Sequence, residues 1–168
     1  GACHFANTIL KVREVNPEVV IEVLVPDFLG KEDALWVVME ARPRIFNHNI
    51  ETVERLSDSV RSNSEYWRSL RVLKKAREMA NQMGYQCATK SGIMLGLGEK
   101  KEELLKAMDD LRAHEVTVLT LGQYLRPSPK HLPVVEYIEP IVFEELGKLA
   151  KEKGFRHVAS GPLVRSSY

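Results

Sequence analysis

Apolar positions along the chain switch repeatedly between two periods. Residues 4–15, H-F-A-N-T-I-L-K-V-R-E-V, put Phe5, Ile9, Val12 and Val15 on one helical face, and Asn16-Pro17 ends that helix. The next run, V-V-I-E-V-L-V at 19–25, is β-branched and nearly all apolar, which predicts a strand buried on both faces, closed by Pro26-Asp27. Residues 31–41 predict a helix with Leu35, Val38 and Met39 inward, followed by a short strand at 44–46. A helix near 52–60 precedes a longer one at about 65–83, where Tyr66, Leu70, Leu73, Ala80 and Met83 recur at helical spacing and Gly84 is the C-terminal stop. The pattern continues with a strand around 87–95, a helix at 100–114 using Leu104, Leu105, Met108 and Leu111, and a strand at 116–121. A Pro-rich loop at 125–140 leads to a helix with Phe143, Leu146 and Ala150 inward, then a last strand at 155–160.

Alternating strands and helices with buried-type strands predict an α/β fold with a parallel sheet. A full (β/α)₈ barrel takes ~250 residues, so the chain is at most about half of one, or a small open sheet. No composition break marks a second domain, so residues 1–168 are expected to form a single one. The chain opens on a helix and closes on a strand plus tail, as part of a longer barrel would.

Composition narrows the partners. Of 168 residues, 44% are hydrophobic and 28% charged, the balance of an ordinary globular protein. With 24 Lys and Arg against 23 Asp and Glu, the net charge of +1 gives no electrostatic case for nucleic acid or an anionic membrane. No apolar run approaches the ~20 residues of a membrane span, and the opening G-A-C-H-F-A-N lacks the features of a signal peptide. Cys3 and Cys87 make neither a disulfide framework nor a metal-type spacing. The cytoplasm is the default location.

Candidate chemistry sits at one end of the expected sheet. Parallel α/β proteins bind ligands at the C-terminal ends of their strands, and one polar cluster follows each strand here. Asp27 follows the first; Asn47, His48, Asn49 and Glu51 the second; Gly96, Gly98 and Glu99 the third. Gln123 and Tyr124 follow the fourth; Arg165, Ser166 and Ser167 the fifth. Plainer readings exist beside this one. Asn49 can serve as a helix N-cap. G-L-G-E has Lys101 where a dinucleotide fingerprint needs its third glycine, so a tight strand-to-helix turn suits it better. Lys90 in a strand suggests a Schiff-base nucleophile, but a charge pair with a carboxylate is the simpler expectation. Composition and spacing stop at a composite site over one sheet end.

Six motifs in order carry a resemblance further: N-H-N-I-E-T (47–52), Val60-Arg61 with Tyr66, K-S-G-I-M-L-G-L-G-E (90–99), L-T-L-G-Q-Y-L (119–125), H-L-P-V (131–134) and G-P-L-V-R-S-S-Y (161–168). Together they resemble the lipoyl synthases, radical S-adenosylmethionine (SAM) enzymes. The resemblance implies part of a (β/α)₆ barrel holding two 4Fe–4S clusters. One, on a C-x-x-x-C-x-x-C motif, binds SAM and yields the radical; the auxiliary one, on a second cysteine triplet and a serine, is the sulfur source. Sulfur replaces hydrogen at C6 and C8 of an octanoyl chain on a carrier lysine. Neither cysteine triplet occurs in this chain. It is therefore expected to be the C-terminal portion of the catalytic core, inactive alone.

By the same resemblance, Asn49, Glu51 and Asn47 contact polar groups of SAM, and Arg61 pairs with its carboxylate, which suits a guanidinium fork. Gly96, Gly98 and Glu99 lie along the adenine and ribose, Gln123, Tyr124 and Leu125 beside the adenosyl group, and the His131 loop covers the site or meets the octanoyl-lysine arm. Ser166, or alternatively Ser167, is the auxiliary-cluster ligand, supported by Arg165. A serine oxygen is a harder ligand than the thiolate iron prefers, which suits a cluster that is dismantled. The implied partners are octanoylated lipoyl-domain proteins or the glycine cleavage carrier protein, and iron–sulfur supply proteins. A cytoplasmic location is expected, with an organellar one left open. Two alternatives are an iron-free barrel lyase using Lys90 and a non-catalytic relic.

Overall fold

The computed structural model describes residues 1–61 and 65–167; Tyr168, which closes the R-S-S-Y motif, lies outside the described residues. The elements are α1 (Ala2–Val15), β1 (Glu22–Leu24), α2 (Glu32–Glu40), β2 (Ile45–Asn47), α3 (Glu54–Val60), α4 (Tyr66–Gln82), β3 (Ala88–Leu95), α5 (Lys101–Ala113), β4 (Val118–Gln123), α6 (Pro140–Glu152) and β5 (His157–Ser160).

The five strands form one parallel sheet in sequence order, β1-β2-β3-β4-β5. Crossovers of one hand that always step in the same direction stack the helices on a single face. A doubly wound sheet would reverse its order and cover both faces; this sheet is the wall of a partial barrel.

The two faces follow from period-two alternation. Val23, Phe46, Thr89, Ser91, Leu119 and Leu121 are buried beneath the helices. The helices answer with the predicted stripes: Leu35, Val38 and Met39; Leu70, Leu73 and Ala80; Leu104, Met108 and Leu111; Phe143, Leu146 and Ala150, all buried. Each large apolar side chain so buried contributes about 1.5–3 kcal/mol. In the strand register, Glu22, Asn47, Lys90, Gly92, Thr120 and Gly122 alternate with these residues and face the concave side.

Three sequence expectations change. The strand expected at 19–25 pairs only at Glu22–Leu24, and it is the sheet edge with β2 as its neighbour, so Leu24 is 49% exposed. A β-branched run looks the same in an edge strand and a central one; the neighbours decide. On α1, Ile9 is buried and Phe5 half-buried, but Val12 and Val15 are exposed beyond the contact with α2. Asn49 is not a helix cap: α3 takes Val53 at that position. Gly84 does follow the α4 C-cap, Met83, at φ +70°. No helix among the described residues is long and apolar enough to cross a membrane.

Candidate active site

The C-terminal tail roofs the strand ends. After β5, the Gly161 amide donates to the Leu121 carbonyl (3.1 Å) and the Gln123 amide to the Pro162 carbonyl (3.3 Å). The tail then crosses β4 at Gly122, where any Cβ would run into the Val164 carbonyl, and reaches β2, where the Asn47 side-chain amide donates to the Ser166 carbonyl (3.2 Å). Beneath it lies a cavity of about 280 Å³ walled by Asn49, Glu51, Gly92, Thr120, Arg165 and Ser166, among others. Ser167 is exposed and does not line it.

Glu51 sits where two cavities meet. Its backbone is left-handed (φ +67°), a conformation that costs a non-glycine residue on the order of 1–3 kcal/mol. It is held there because its amide donates to the Gly92 carbonyl (3.1 Å) and its carbonyl accepts from the Met94 amide (2.8 Å). Burial pushes the Glu51 carboxyl above its usual 4.5, against the pull of Arg61 and a hydrogen bond with Asn49. Arg61 is placed by donating to the Asn49 carbonyl (2.9 Å). Asn49 Oδ1 is buried with no partner among the described residues, and it has room because position 92 is glycine: a Cβ there would stand 2.9 Å from it. The second cavity, about 460 Å³, shares Glu51, Met94 and Leu125 with the first and runs past Arg61, Leu97 and Tyr124 to Lys130 and His131.

The loop carrying His131 is pinned to a socket. Gln123 Oε1 accepts from the Ile138 amide (3.0 Å), and its Nε2 donates to the carbonyls of Tyr124 (3.0 Å) and Glu136 (3.1 Å). The Tyr124 hydroxyl donates to the Leu132 carbonyl (2.9 Å), and the Gly96 carbonyl accepts from the amides of Val135 (2.9 Å) and Glu136 (3.3 Å). Glu99 turns back on its own turn and accepts from the amides of Gly96 (2.6 Å) and Leu97 (2.9 Å). Gly96, Gly98 and Glu99 line neither strand-end cavity; in this structure they form the socket for the loop. Gln123, Tyr124 and Leu125 do line the cavities, the first two with their polar atoms largely spent on that loop. His131 lines the second cavity, with Nδ1 2.9 Å from Ser128 Oγ.

Other polar residues of the strand-end clusters point elsewhere. His48 is buried on the helix side: Nδ1 donates to the Val25 carbonyl (2.8 Å), so Nε2 accepts from the Ser69 hydroxyl (2.9 Å). Burial lowers its pKa from the usual 6.5, against the opposing hydrogen bond to Val25. The unfolded chain therefore takes up this proton more readily than the folded one. Stability from the neutral ring is intact above about pH 6.5 and is lost as the pH falls below that value toward the folded pKa. Urea midpoints are expected to fall between about pH 7.5 and pH 5.5, and His48→Gln is expected to flatten that fall. An unchanged slope in the variant would contradict the assignment.

Asp27 pairs with Arg68 at 2.7 Å. Burial raises its carboxyl, but hydrogen bonds from the Leu29 amide and Arg68 outweigh this and leave it below its usual 3.8. Lys90 meets Glu22 at 2.9 Å, is only 2% exposed and lines neither cavity, so a Schiff-base role has no support in its geometry. Asn47 is fully buried and also lines neither. A larger cavity, about 560 Å³, lies against α4, away from the strand-end clefts. Among the cations lining it, Arg68 pairs with Asp27, and Lys75 with Glu32 and Glu78.

Gly92, Thr120 and Gly122 were not among the expected site residues, although a glycine inside a strand is itself a sign of close approach by something else.

No family model matches the chain. Over all 168 residues it is 56% identical to the lipoyl synthase of Bacillus cytotoxicus and 55% identical to that of Bacillus cereus, covering 55% of each. The chain thus spans about half the length of the curated relatives it matches, and is homologous to them from end to end. Among solved structures it resembles methylornithine synthase, with a TM-score of 0.62 at 17% identity over 97% of this chain and 54% of that one. It also resembles a radical S-adenosylmethionine methyltransferase from Kitasatospora setae, solved with cobalamin and a 4Fe–4S cluster bound (TM-score 0.53, 16% identity, 85% of this chain and 27% of that one). Both likenesses show the fold alone: the parallel sheet and its helices are arranged as in part of those enzymes.

Proposed function

We propose that this chain forms the strand-end wall of the active site in a lipoyl synthase, which inserts sulfur at C6 and C8 of a protein-bound octanoyl-lysine. The observation that carries this reading is identity above one half, over every residue of the chain, to enzymes of that name. The two joined cavities supply a place for the chemistry.

The residues fit SAM. Its ammonium and ribose hydroxyls need buried acceptors, and the cavity walls offer the unpartnered Asn49 Oδ1 and the Glu51 carboxylate. Its carboxylate needs a cation, and Arg61 stands in the same cleft as Glu51. Leu97, Tyr124 and Leu125 give an apolar flank for the adenine. When bound, SAM is the source of the radical that removes hydrogen from the octanoyl chain. This chain's own part is to orient it against the sheet end and to exclude water with the tail and the His131 loop. The octanoyl arm, delivered by a lipoyl-domain protein or the glycine cleavage carrier, would enter past that loop.

The residues do not by themselves fit an iron–sulfur cluster. Among the described residues no group of three His, Cys, Asp or Glu could hold a metal. Cys3 is exposed on α1; Cys87 is buried at the N-terminal end of β3, with burial pushing its thiol up to about 11. The oxygen donor that the tail brings to the cavity is Ser166, and its cysteine partners would come from the rest of a complete enzyme, loaded by iron–sulfur supply proteins.

Arg61→Lys in the complete enzyme tests the assignment. A lysine keeps the charge but loses the fork, so the Kd for SAM by titration calorimetry is expected to rise about tenfold, or about 1.4 kcal/mol. Binding as tight as that of the parent would remove Arg61 from the site.

A further inference from the structure

We infer that Lys90, Glu22 and Asn47 form a buried anchor that holds the C-terminal tail, and Ser166 with it, over the strand ends. The anchor is a statement about the tail; its consequence for iron rests on the reading of Ser166 given above.

The three residues stand side by side on β1, β2 and β3. Asn47 is the register partner of both Leu24 and Lys90, and Glu22 lies two residues before Leu24 on the same face. Lys90 Nζ is 2.9 Å from one Glu22 oxygen and 3.0 Å from the other. Asn47 Nδ2 donates to Glu22 Oε1 (2.8 Å) and to the Ser166 carbonyl (3.2 Å).

The chemistry of this joint is specific. A carboxylate and a peptide carbonyl both only accept, so a residue linking them must donate twice from one atom. The primary amide of asparagine does so; an aspartate of the same shape cannot. The lysine has a role in the same logic. A buried ammonium is expensive unless paired, and Lys90 touches neither cavity, so its charge is not placed to meet a ligand. What it does is fix the Glu22 carboxylate under Asn47, which fixes the amide that holds residue 166. These are positioning residues.

Hydrogen exchange followed by mass spectrometry tests the anchor without reference to turnover. In Asn47→Asp, amides of the peptide spanning 161–168 are expected to exchange about tenfold faster, the effect of losing about 1.4 kcal/mol, while β3 and β4 peptides keep their parent rates. The double variant Lys90→Met/Glu22→Leu removes the pair without stranding a charge, and it is expected to loosen the tail likewise. Unchanged tail exchange in both variants overturns the anchor, as does equal acceleration across the sheet.

A second readout separates the anchor from the iron assignment. In anaerobically reconstituted complete enzyme, Asn47→Asp is expected to change the Mössbauer signature of the serine-ligated iron. A loosened tail with that signature unchanged supports the anchor and overturns the placing of Ser166 on iron.

Discussion

Ser166→Ala in the complete enzyme is expected to lower lipoyl formation by about 100-fold or more, while SAM is still cleaved. Disturbing even an outer partner of a metal ligand costs 10–100-fold in many sites, and on the proposed reading this change removes the ligand atom itself. The two activities separate because Ser166 hangs from the tail above Gly122 and Asn47, whereas Glu51 and Arg61 are held by β3 and the loop after β2. Ser167→Ala is the matched control. That residue is exposed and lines neither cavity, so product formation should stay near the parent rate. Measured together, cleaved SAM and lipoyl product decide the matter. Equal loss of both in Ser166→Ala, or a larger loss in Ser167→Ala, would contradict the placement.

The second large effect is on stability. Gly96→Ala is expected to cost about 2–4 kcal/mol, because two penalties coincide. The residue has φ +103°, which disfavours any side chain, and a Cβ would collide with the Glu136 carbonyl and the Gln123 amide. Neither can retreat, since both belong to the network pinning the loop to the sheet. Gly98→Ala separates the two penalties. Its φ is +95°, but its nearest neighbour is the Val135 side chain at 3.7 Å, so only the conformational cost of about 1–2 kcal/mol applies. Urea denaturation of both variants should show the larger loss at position 96. Equal losses would mean that the collision is relieved by movement of the loop.

Much of this was legible in the sequence, and the exceptions have physical reasons. The helices read correctly because one buried stripe at a 3.6-residue period leaves little choice: Leu35, Val38 and Met39, or Phe143, Leu146 and Ala150, lie where spacing puts them. Strand β1 did not, because V-V-I-E-V-L-V carries no sign of how many neighbours it has. Within N-H-N-I-E, the alternation of a strand already separates the concave Asn47 from the outward His48, although both look like site residues in a list of polar types. The concave direction alone does not make a ligand contact, as Asn47 shows by spending its amide on Glu22 and the tail. Glu99 was unreadable for another reason. Its carboxylate turns back to the amides of Gly96 and Leu97, and only the backbone path of that turn reveals it. Glycines 92 and 122 announce close approach, but not that Asn49 and the Val164 carbonyl are what approach.

On the proposed reading, the strand-end clefts of this chain serve sulfur insertion. The most direct test is the complete enzyme containing this chain, reconstituted anaerobically with iron and sulfide and given SAM and an octanoylated lipoyl-domain peptide. Mass spectrometry of the peptide should show two hydrogens of the octanoyl chain replaced by two sulfurs, with methionine accumulating. A fully clustered enzyme that cleaves SAM yet leaves the octanoyl peptide unchanged would contradict the account.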